Sequence, residues 1–200
     1  MIIALTGGIG SGKSVVSELL RVMGYIVYDC DANAKLLMHS DSELRNRLTT
    51  LFGTETYNAD GALNKQHLSA AIFGNAEALN KMNNLVHPAV ARDITKLYRE
   101  MNAKVGDKNV LLFFESAILF ESHFDELVKP DIVVSVSAPF EMRLARATTR
   151  DHASRQQIIR RIENQMSQEK KDERADIVIY NDEKNSIIHQ IDKLLSSILQ

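Results

Sequence analysis

The chain has 200 residues, of which 44% are hydrophobic and 25% charged, and its formal net charge is −2. This composition is typical of a globular protein and excludes a disordered or collagen-like chain. The near-neutral charge argues against a general nucleic-acid coat protein, and no apolar run approaches the ~20 residues that a membrane span requires.

Five short apolar runs predict the strands of a parallel sheet. Each run is rich in β-branched or aromatic residues and is almost continuously apolar, as expected of strands covered on both faces. The predicted strands are Ile2–Thr6, Tyr25–Asp29, Val110–Glu115, Ile132–Ser137 and Ile177–Tyr180, and the predicted helices between and after them are Val15–Met23, Glu141–Thr149 and Ser186–Leu199. This order predicts an α/β fold with a doubly wound parallel five-stranded sheet, in which the second strand neighbours the first.

Two helical stretches interrupt the alternation. From about Asp31 to Asn109 the apolar spacing is helical and contains no convincing strand, whereas one helix suffices for a crossover in a parallel sheet. We therefore expect a helical insertion over 31–103. The second stretch, 141–172, contains half of the arginines and is predicted to form two helices joined by a polar turn. The remaining ranges are predicted to form the core: 1–30, 104–140 and 173–200.

The strongest motif is a glycine-rich loop between the first strand and the first helix. Gly7-Gly8-Ile9-Gly10-Ser11-Gly12-Lys13-Ser14 fits the pattern G-x-x-x-x-G-K-[ST]. The glycines let successive backbone amides point at phosphate oxygens, and the following helix adds its positive end. Lys13 is expected to reach the β- and γ-phosphates, and the Ser14 hydroxyl is placed for Mg²⁺. The loop therefore predicts binding of a nucleoside triphosphate.

The sequence also narrows the class of nucleotide-binding protein. The guanine-specific pattern N-K-x-D fails at both Asn64-Lys65 and Asn80-Lys81, and a transporter signature L-S-G-G-Q is absent. Two helical excursions favour a small-molecule kinase, in which one excursion holds the acceptor and the other closes over ATP. Another small nucleoside or nucleotide kinase, and a nucleotide-dependent switch, remain alternatives.

An acidic pair follows the second strand. Asp29 and Asp31 lie at its carboxyl end, the edge where open parallel sheets bind ligands. If both lie on the strand, they face the same way, and one of them can accept the proton of an acceptor hydroxyl. The alternative is that an aspartate here caps a helix.

With these residues the sequence resembles the dephospho-coenzyme A kinase family. The resemblance rests on Thr6–Ser14 together with Asp29-x-Asp31, and further segments match the family in order along the chain. These segments are Leu85-Val86-His87-Pro88, Ile118-Leu119-Phe120-Glu121, Arg146-Ala147-Thr148-Thr149-Arg150-Asp151 and Ala175-Asp176-Ile177-Val178-Ile179-Tyr180-Asn181. The family usually has Thr where this chain has Val15, Arg at Lys35, Pro at Ala117, and Asn-x-Gly at Asn181-Asp182.

The resemblance implies a P-loop kinase that phosphorylates the ribose 3′-hydroxyl of dephospho-coenzyme A with ATP and Mg²⁺, the last step of coenzyme A synthesis. It implies that Asp31 acts as the base, aided in catalysis by Lys13 and Arg146. The ATP-binding residues would be Gly8, Gly10, Ser11, Gly12, Lys13, Ser14, Val15, Arg146 and Arg150. The substrate-binding residues would be Asp29, Asp31, Lys35 and His87, and the metal would be held by Ser14 and, through water, by Glu115.

Several of these residues have simpler interpretations. Glu115 can be a strand-end acid that faces solvent, and a histidine before a proline, such as His87, can simply cap or pack the start of a helix. Arg146 and Arg150 lie one helical turn apart, as a phosphate clamp requires, whereas Arg155, Arg160 and Arg161 are interpreted as a solvated helix face.

The expected partners are ATP and dephospho-coenzyme A, with no nucleic acid and no membrane, and the expected state is a monomer or weak homo-oligomer. Cys30 is the single cysteine, which excludes a disulfide within the chain, and the first residues lack the features of a signal peptide. A cytoplasmic location is therefore expected.

Overall fold

The computed structural model describes residues 1–105 and 110–199. Residues 106–109, which end the predicted helical stretch, and Gln200 lie outside the described residues. The chain divides into two compact units, Met1–Asp29 with Leu97–Gln200, and Cys30–Lys96. The predicted three-part division into core, helical insertion and lid stays a prediction.

The described residues form strands and helices that alternate as the sequence predicts. The strands are β1 (Ile2–Thr6), β2 (Ile26–Asp29), β3 (Leu112–Glu115), β4 (Ile132–Ser137) and β5 (Ile177–Tyr180). The helices are α1 (Lys13–Val22), α2 (Cys30–Ser40), α3 (Ser42–Phe52), α4 (Lys65–Ile72), α5 (Ala76–Val105), α6 (Phe124–Val128), α7 (Phe140–Asp151), α8 (Arg155–Glu163), α9 (Gln168–Arg174) and α10 (Ile187–Ile198).

The first unit is built on a five-stranded sheet with the order β2-β3-β1-β4-β5, in which every pair of strands is parallel. The predicted parallel sheet is therefore confirmed. The prediction that the second strand neighbours the first is wrong, because β3 lies between them. An apolar run predicts a strand but not which strand lies next to it. The neighbouring strand depends on contacts between residues far apart in the sequence.

The core of this unit lies where α1 and α10 pack against the sheet. Val16 and Leu20 of α1 are completely buried, and Ile191 of α10 is buried in the same cluster with apolar residues of β1 and β4. Burial of each such side chain contributes about 1.5–3 kcal/mol. Gly24 ends α1 as predicted, since it adopts a φ of 93° and the following amide of Tyr25 donates to the Leu20 carbonyl at 3.0 Å.

The arginine-rich stretch forms three helices, α7, α8 and α9, so the prediction of two helices is wrong. Two serines each begin a helix. Ser154 accepts a hydrogen bond from the Gln157 amide in a capping box, and Ser167 accepts one from the Lys170 amide. The second cap starts α9 as a separate element.

The second unit consists of α2, α3, a 3₁₀ turn at Thr54–Thr56, α4 and the first part of α5. The predicted turn at Asp60-Gly61 is present, with the Gly61 amide donating to the Asn58 carbonyl at 2.8 Å. The buried aliphatic residues of the second unit belong to α3, α4 and α5, namely Leu44, Leu48, Leu68, Val86, Val90 and Ile94. Across both units, none of the helices in the described ranges combines the length and apolarity needed to cross a membrane.

Candidate active site

The phosphate loop connects β1 to α1 in a conformation that needs glycine. Gly10 and Gly12 have φ angles of 76° and 96°, in the left-handed region that side chains disfavour. The Gly12 carbonyl accepts the amide of Val15 at 3.0 Å, which starts α1 within the motif. The loop amides and the positive end of α1 therefore meet at Lys13, as an anion-binding loop requires.

The same glycines make room for other parts of the protein. A Cβ atom at Gly8 would lie 2.2 Å from the Arg143 guanidinium, and one at Gly10 would lie 2.1 Å from the Arg143 carbonyl oxygen. At Gly12 it would lie 2.0 Å from the Asn181 amide nitrogen, which donates to the Ser11 carbonyl at 2.9 Å. The loop is thus packed against α7 and against the segment that follows β5.

Lys13 is a buried cation inside this loop. Its Nζ donates to the carbonyls of Gly7 at 2.6 Å and Gly8 at 3.4 Å. Burial lowers the pKa of Lys13 to about 8; the Glu115 carboxylate opposes the shift, and Lys171 and Arg143 add to it. Since the nearby cations are only partly offset, the loop has an electrostatic preference for an anion.

Acidic and hydroxyl groups line the carboxyl ends of the neighbouring strands. Asp29 of β2 and Glu115 of β3 are register partners, so their side chains leave the sheet on the same face. Ser17, buried on α1, donates to Glu115 Oε2 at 2.7 Å, and Ser14 on the first turn of α1 is exposed. Sequence reasoning missed Ser17, although it lies one turn after Ser14 and hence on a neighbouring part of the helix surface.

These oxygen donors suit Mg²⁺. Oxygen ligands are the ones Mg²⁺ prefers, and it commonly takes only one or two carboxylates while keeping water and phosphate ligands. In the part of the chain that the structure describes, no group of three or more His, Cys, Asp or Glu side chains forms a candidate metal cage. The Ser14 hydroxyl and the Glu115 carboxylate are oxygen donors of the kind that bind Mg²⁺ together with phosphate and water oxygens.

The predicted phosphate-binding arginines are paired with protein groups. Arg146 donates to the Asn181 carbonyl at 3.1 Å. Arg150 forms two hydrogen bonds to the Asp151 carboxylate, at 2.7 and 3.2 Å, which raise the pKa of Arg150. Arg161 donates to the same carboxylate at 3.0 Å. Arg161, which was predicted to lie on a solvated helix face, is therefore exposed but forms an ion pair with Asp151.

Sequence reasoning missed Arg143, which contacts the loop directly. Its guanidinium is buried, and its Nε donates to the Ile9 carbonyl at 3.0 Å. Burial lowers the pKa of Arg143, while Glu169 and Asp172 oppose the shift. Helical spacing held a usable indication, because Arg143 lies one turn before Arg146 and so on the same face of α7.

The second unit contains three of the four predicted substrate-binding residues: Asp31, Lys35 and His87. Asp31 lies in the first turn of α2, which begins at Cys30, and Lys35 lies one turn later on the same face. The prediction that Asp29 and Asp31 share a strand face is therefore wrong: the strand ends at Asp29, and Asp31 lies at the positive end of a helix.

His87 lies inside the 30-residue helix α5, so the interpretation that it caps a helix start is wrong. Burial lowers the pKa of His87, and the negative charge of Asp31 partly opposes this effect, which places the two side chains in one electrostatic environment. The next residue, Pro88, has no amide hydrogen and leaves the Asn84 carbonyl without its usual helical donor.

The phosphate loop follows β1 of a parallel sheet whose order is β2-β3-β1-β4-β5, and it contains a buried lysine. Acidic side chains lie at the ends of adjacent strands. These features define a P-loop kinase of the NTPase-like α/β class. The family model described as dephospho-CoA kinase matches residues 1–186, and the chain belongs to that family.

A curated relative agrees with this assignment, and two solved structures share the fold. A dephospho-CoA kinase from Bacteroides fragilis (strain YCH46) is 41% identical over 198 residues, covering 99% of this chain and 93% of the relative. Among solved structures, TT1252 from Thermus thermophilus superposes with a TM-score of 0.75 at 31% identity, covering 100% of this chain and 96% of that one. A dephospho-CoA kinase from Campylobacter jejuni shares the fold, with a TM-score of 0.69 at 23% identity and coverage of 98% and 96%.

Proposed function

We propose that the chain performs the reaction of its family at the residues described above: transfer of the γ-phosphoryl group of ATP to the ribose 3′-hydroxyl of dephospho-coenzyme A, giving coenzyme A and ADP. The observation that carries the proposal is the buried Lys13, whose Nζ donates to the Gly7 carbonyl, in the same loop as Gly10 and Gly12 with their left-handed φ angles. Positive charge and amide donors meet there, which is what the β- and γ-phosphates of ATP require.

Asp31 is proposed as the group that accepts the acceptor's proton. The hydroxyl oxygen forms a bond to the γ-phosphorus, the bond from that phosphorus to the β–γ bridging oxygen breaks, and the proton passes to the Asp31 carboxylate. Lys35 and His87 are proposed to hold the acceptor, since they share one unit with Asp31 and His87 interacts with it electrostatically. Asp29 is proposed to support the substrate or the metal from the end of β2.

Arg146 and Arg150 are proposed to neutralise the charge that develops on the transferred phosphoryl group. Arg150 makes this contact by exchanging its partner Asp151 for a phosphate oxygen. Ser11, Gly8, Gly10, Gly12 and Val15 contribute to the ATP site through the loop and the first turn of α1. Ser11 fits this role because its hydroxyl is buried without a hydrogen-bond partner in the described structure.

Mg²⁺ is the proposed cofactor, held by the Ser14 hydroxyl and, through a water molecule, by Glu115. When bound, it neutralises phosphate charge. Ser17 fixes the Glu115 carboxylate by its 2.7 Å hydrogen bond and thereby orients it.

The test is a coupled ADP-release assay with ATP, Mg²⁺ and a panel of acceptors comprising dephospho-coenzyme A, adenosine, AMP and shikimate. We expect rapid turnover with dephospho-coenzyme A alone, and a product heavier by one phosphoryl group at the 3′ position by mass spectrometry and ³¹P NMR. Equal or faster turnover with AMP or adenosine would assign a different small-molecule kinase. No acceptor-dependent ADP release would refute the proposal.

The role of Asp31 is tested with Asp31→Asn, compared with Asp192→Asn on the exposed surface of α10. Loss of a positioned base lowers turnover by about 10²-fold or more, while ATP affinity is retained. Asp192→Asn should match the wild type. Wild-type turnover in Asp31→Asn would remove Asp31 from the mechanism.

We further propose a monomer or weak homo-oligomer in the cytoplasm. Light scattering over a wide concentration range measures the first property, and cell fractionation measures the second. A stable oligomer at low concentration, or recovery with membranes, would contradict these expectations.

A further inference from the structure

The first two amides of the phosphate loop after Gly7 are bound by side chains from a distant part of the chain. The Gly8 amide donates to Gln168 Oε1 at 2.9 Å, and the Ile9 amide donates to Gln165 Oε1 at 3.0 Å. Both glutamines lie at or just before the start of α9, within the predicted lid. The backbone at this point of the loop is therefore fixed by α9 as well as by its own turn.

The orientation of the Gln168 amide follows from its partners. Gln168 is buried, and its Nε2 donates to Asp172 Oδ1 at 2.7 Å, Ser135 Oγ at 3.2 Å and the Val136 carbonyl at 3.3 Å. A carboxylate and a carbonyl accept only, and the Gly8 amide donates only. A flipped amide would lose both sets of interactions, so the side chain has one satisfactory arrangement.

Asp172 extends this arrangement to the sheet. Its two carboxylate oxygens accept hydrogen bonds from Ser135 at 2.6 Å and Ser137 at 2.7 Å, both on β4. A continuous chain of hydrogen bonds thus runs from β4 through Asp172 and Gln168 to the Gly8 amide. Buried polar networks in which every bond is satisfied hold their members in a single geometry.

We infer that Gln168 is a positioning residue for ATP, which holds the start of the phosphate loop in its anion-binding conformation through the Gly8 amide and is itself oriented by Asp172. The space around Gly8 supports this role. An added Cβ there would lie 3.1 Å from Gln168 Oε1 and 2.2 Å from Arg143, so the backbone approaches these groups closely. The inference rests on the proposed function, because it concerns the same ATP site.

The experiment changes the hydrogen-bonding groups of Gln168 and Asp172. Gln168→Leu removes both the acceptor for Gly8 and the donors to Asp172. Gln168→Glu keeps the acceptor but sets a second carboxylate against Asp172. The double variant Gln168→Glu/Asp172→Asn restores a donor–acceptor pair between positions 168 and 172 with an unchanged total charge, since the negative charge moves from 172 to 168, but the Val136 carbonyl still loses its donor. Gln156→Leu, at an exposed glutamine of α8, is the matched control.

Binding of ATP with Mg²⁺ is measured by calorimetry, together with KM, kcat and the melting temperature. We expect Gln168→Leu and Gln168→Glu each to weaken ATP binding about tenfold, since a buried amide loses its partner or its geometry. The KM for the acceptor at saturating ATP should stay unchanged. The double variant should bind ATP at least about threefold more tightly than Gln168→Glu, and Gln156→Leu should be indistinguishable from the wild type.

Wild-type ATP affinity in Gln168→Leu would overturn the inference. So would a double variant that regains the wild-type melting temperature without regaining ATP affinity, because Gln168 would then serve only the packing of α9. If Gln168→Leu does not fold, the comparison of Gln168→Glu with the double variant decides. Failure of the wild type to bind ATP at all would instead refute the proposed function.

Discussion

Nucleotide binding is expected to weaken as the pH rises through the pKa of Lys13. Burial lowers the pKa of this lysine to about 8, and only Glu115 among the named charges opposes the shift. In the free protein the ammonium group is then about nine-tenths charged at pH 7 and about one-tenth charged at pH 9. Because a bound triphosphate favours the charged form, the affinity for ATP should fall about tenfold over this interval.

Calorimetric titration with a non-hydrolysable ATP analogue and Mg²⁺ measures this effect between about pH 7.5 and 9.5, where the triphosphate is fully ionised. Titrations in two buffers of different ionisation enthalpy should show proton uptake approaching one per nucleotide near the upper end. In Lys170→Met, which removes an exposed lysine of α9, the same fall is expected. In Glu115→Gln the fall should begin at lower pH, since the opposing carboxylate is gone.

A constant affinity across this pH range, without proton uptake, would refute the argument that burial discharges Lys13. A fall that persists unchanged in Glu115→Gln would show that the carboxylate does not act on the lysine. Either outcome would separate the geometry of the loop from its electrostatics.

Three further predictions concern the loop, the metal and the core. Gly10→Ala should abolish ATP binding, because its Cβ would lie 2.1 Å from a backbone oxygen and its φ is 76°. The control Gly24→Ala has a φ of 93° but open space around the Cβ. It should retain ATP binding and lower the free energy of unfolding by about 1 kcal/mol. Calorimetry and urea unfolding measure the two effects, and ATP binding by Gly10→Ala would contradict the first. Ser17→Ala should raise the Mg²⁺ concentration for half-maximal activity about three- to tenfold, because the Glu115 carboxylate loses its 2.7 Å donor; an unchanged Mg²⁺ titration would exclude this role. Leu20→Ala should lower the free energy of unfolding in urea by about 2–5 kcal/mol, as the side chain is completely buried, and a loss below about 1 kcal/mol would count against its place in the core.

Local patterns were enough to predict the strands and the phosphate loop. β1, β4 and β5 have the predicted bounds, since each is a short run rich in apolar and β-branched residues, as is typical of a strand covered on both faces. The position of β3 between β1 and β2 could not be predicted from these patterns. Any of several apolar strands can pair with β1, and the choice depends on contacts between distant parts of the chain.

The site was predictable where one motif holds its residues and obscure where distant segments meet. Lys13 and Ser14 follow from the spacing of the loop alone. For Arg143 the sequence shows only that it shares a helix face with Arg146, whereas its burial and its hydrogen bond to the Ile9 carbonyl come from the tertiary structure. Gln165 and Gln168 contact loop amides more than 150 positions earlier in the chain, at a sequence separation over which composition and periodicity carry no information.

The close packing of the phosphate loop has a mechanical consequence. At Gly10 the loop has no free space towards the Arg143 carbonyl, and at Gly12 it has none towards the Asn181 side chain. Arg146 joins these two supports, because it belongs to α7 and donates to the Asn181 carbonyl. A displacement of the loop towards either support therefore pushes on the helix that bears the arginines. The loop therefore has no free volume towards either support, and a movement in those directions requires α7 or the segment after β5 to move as well.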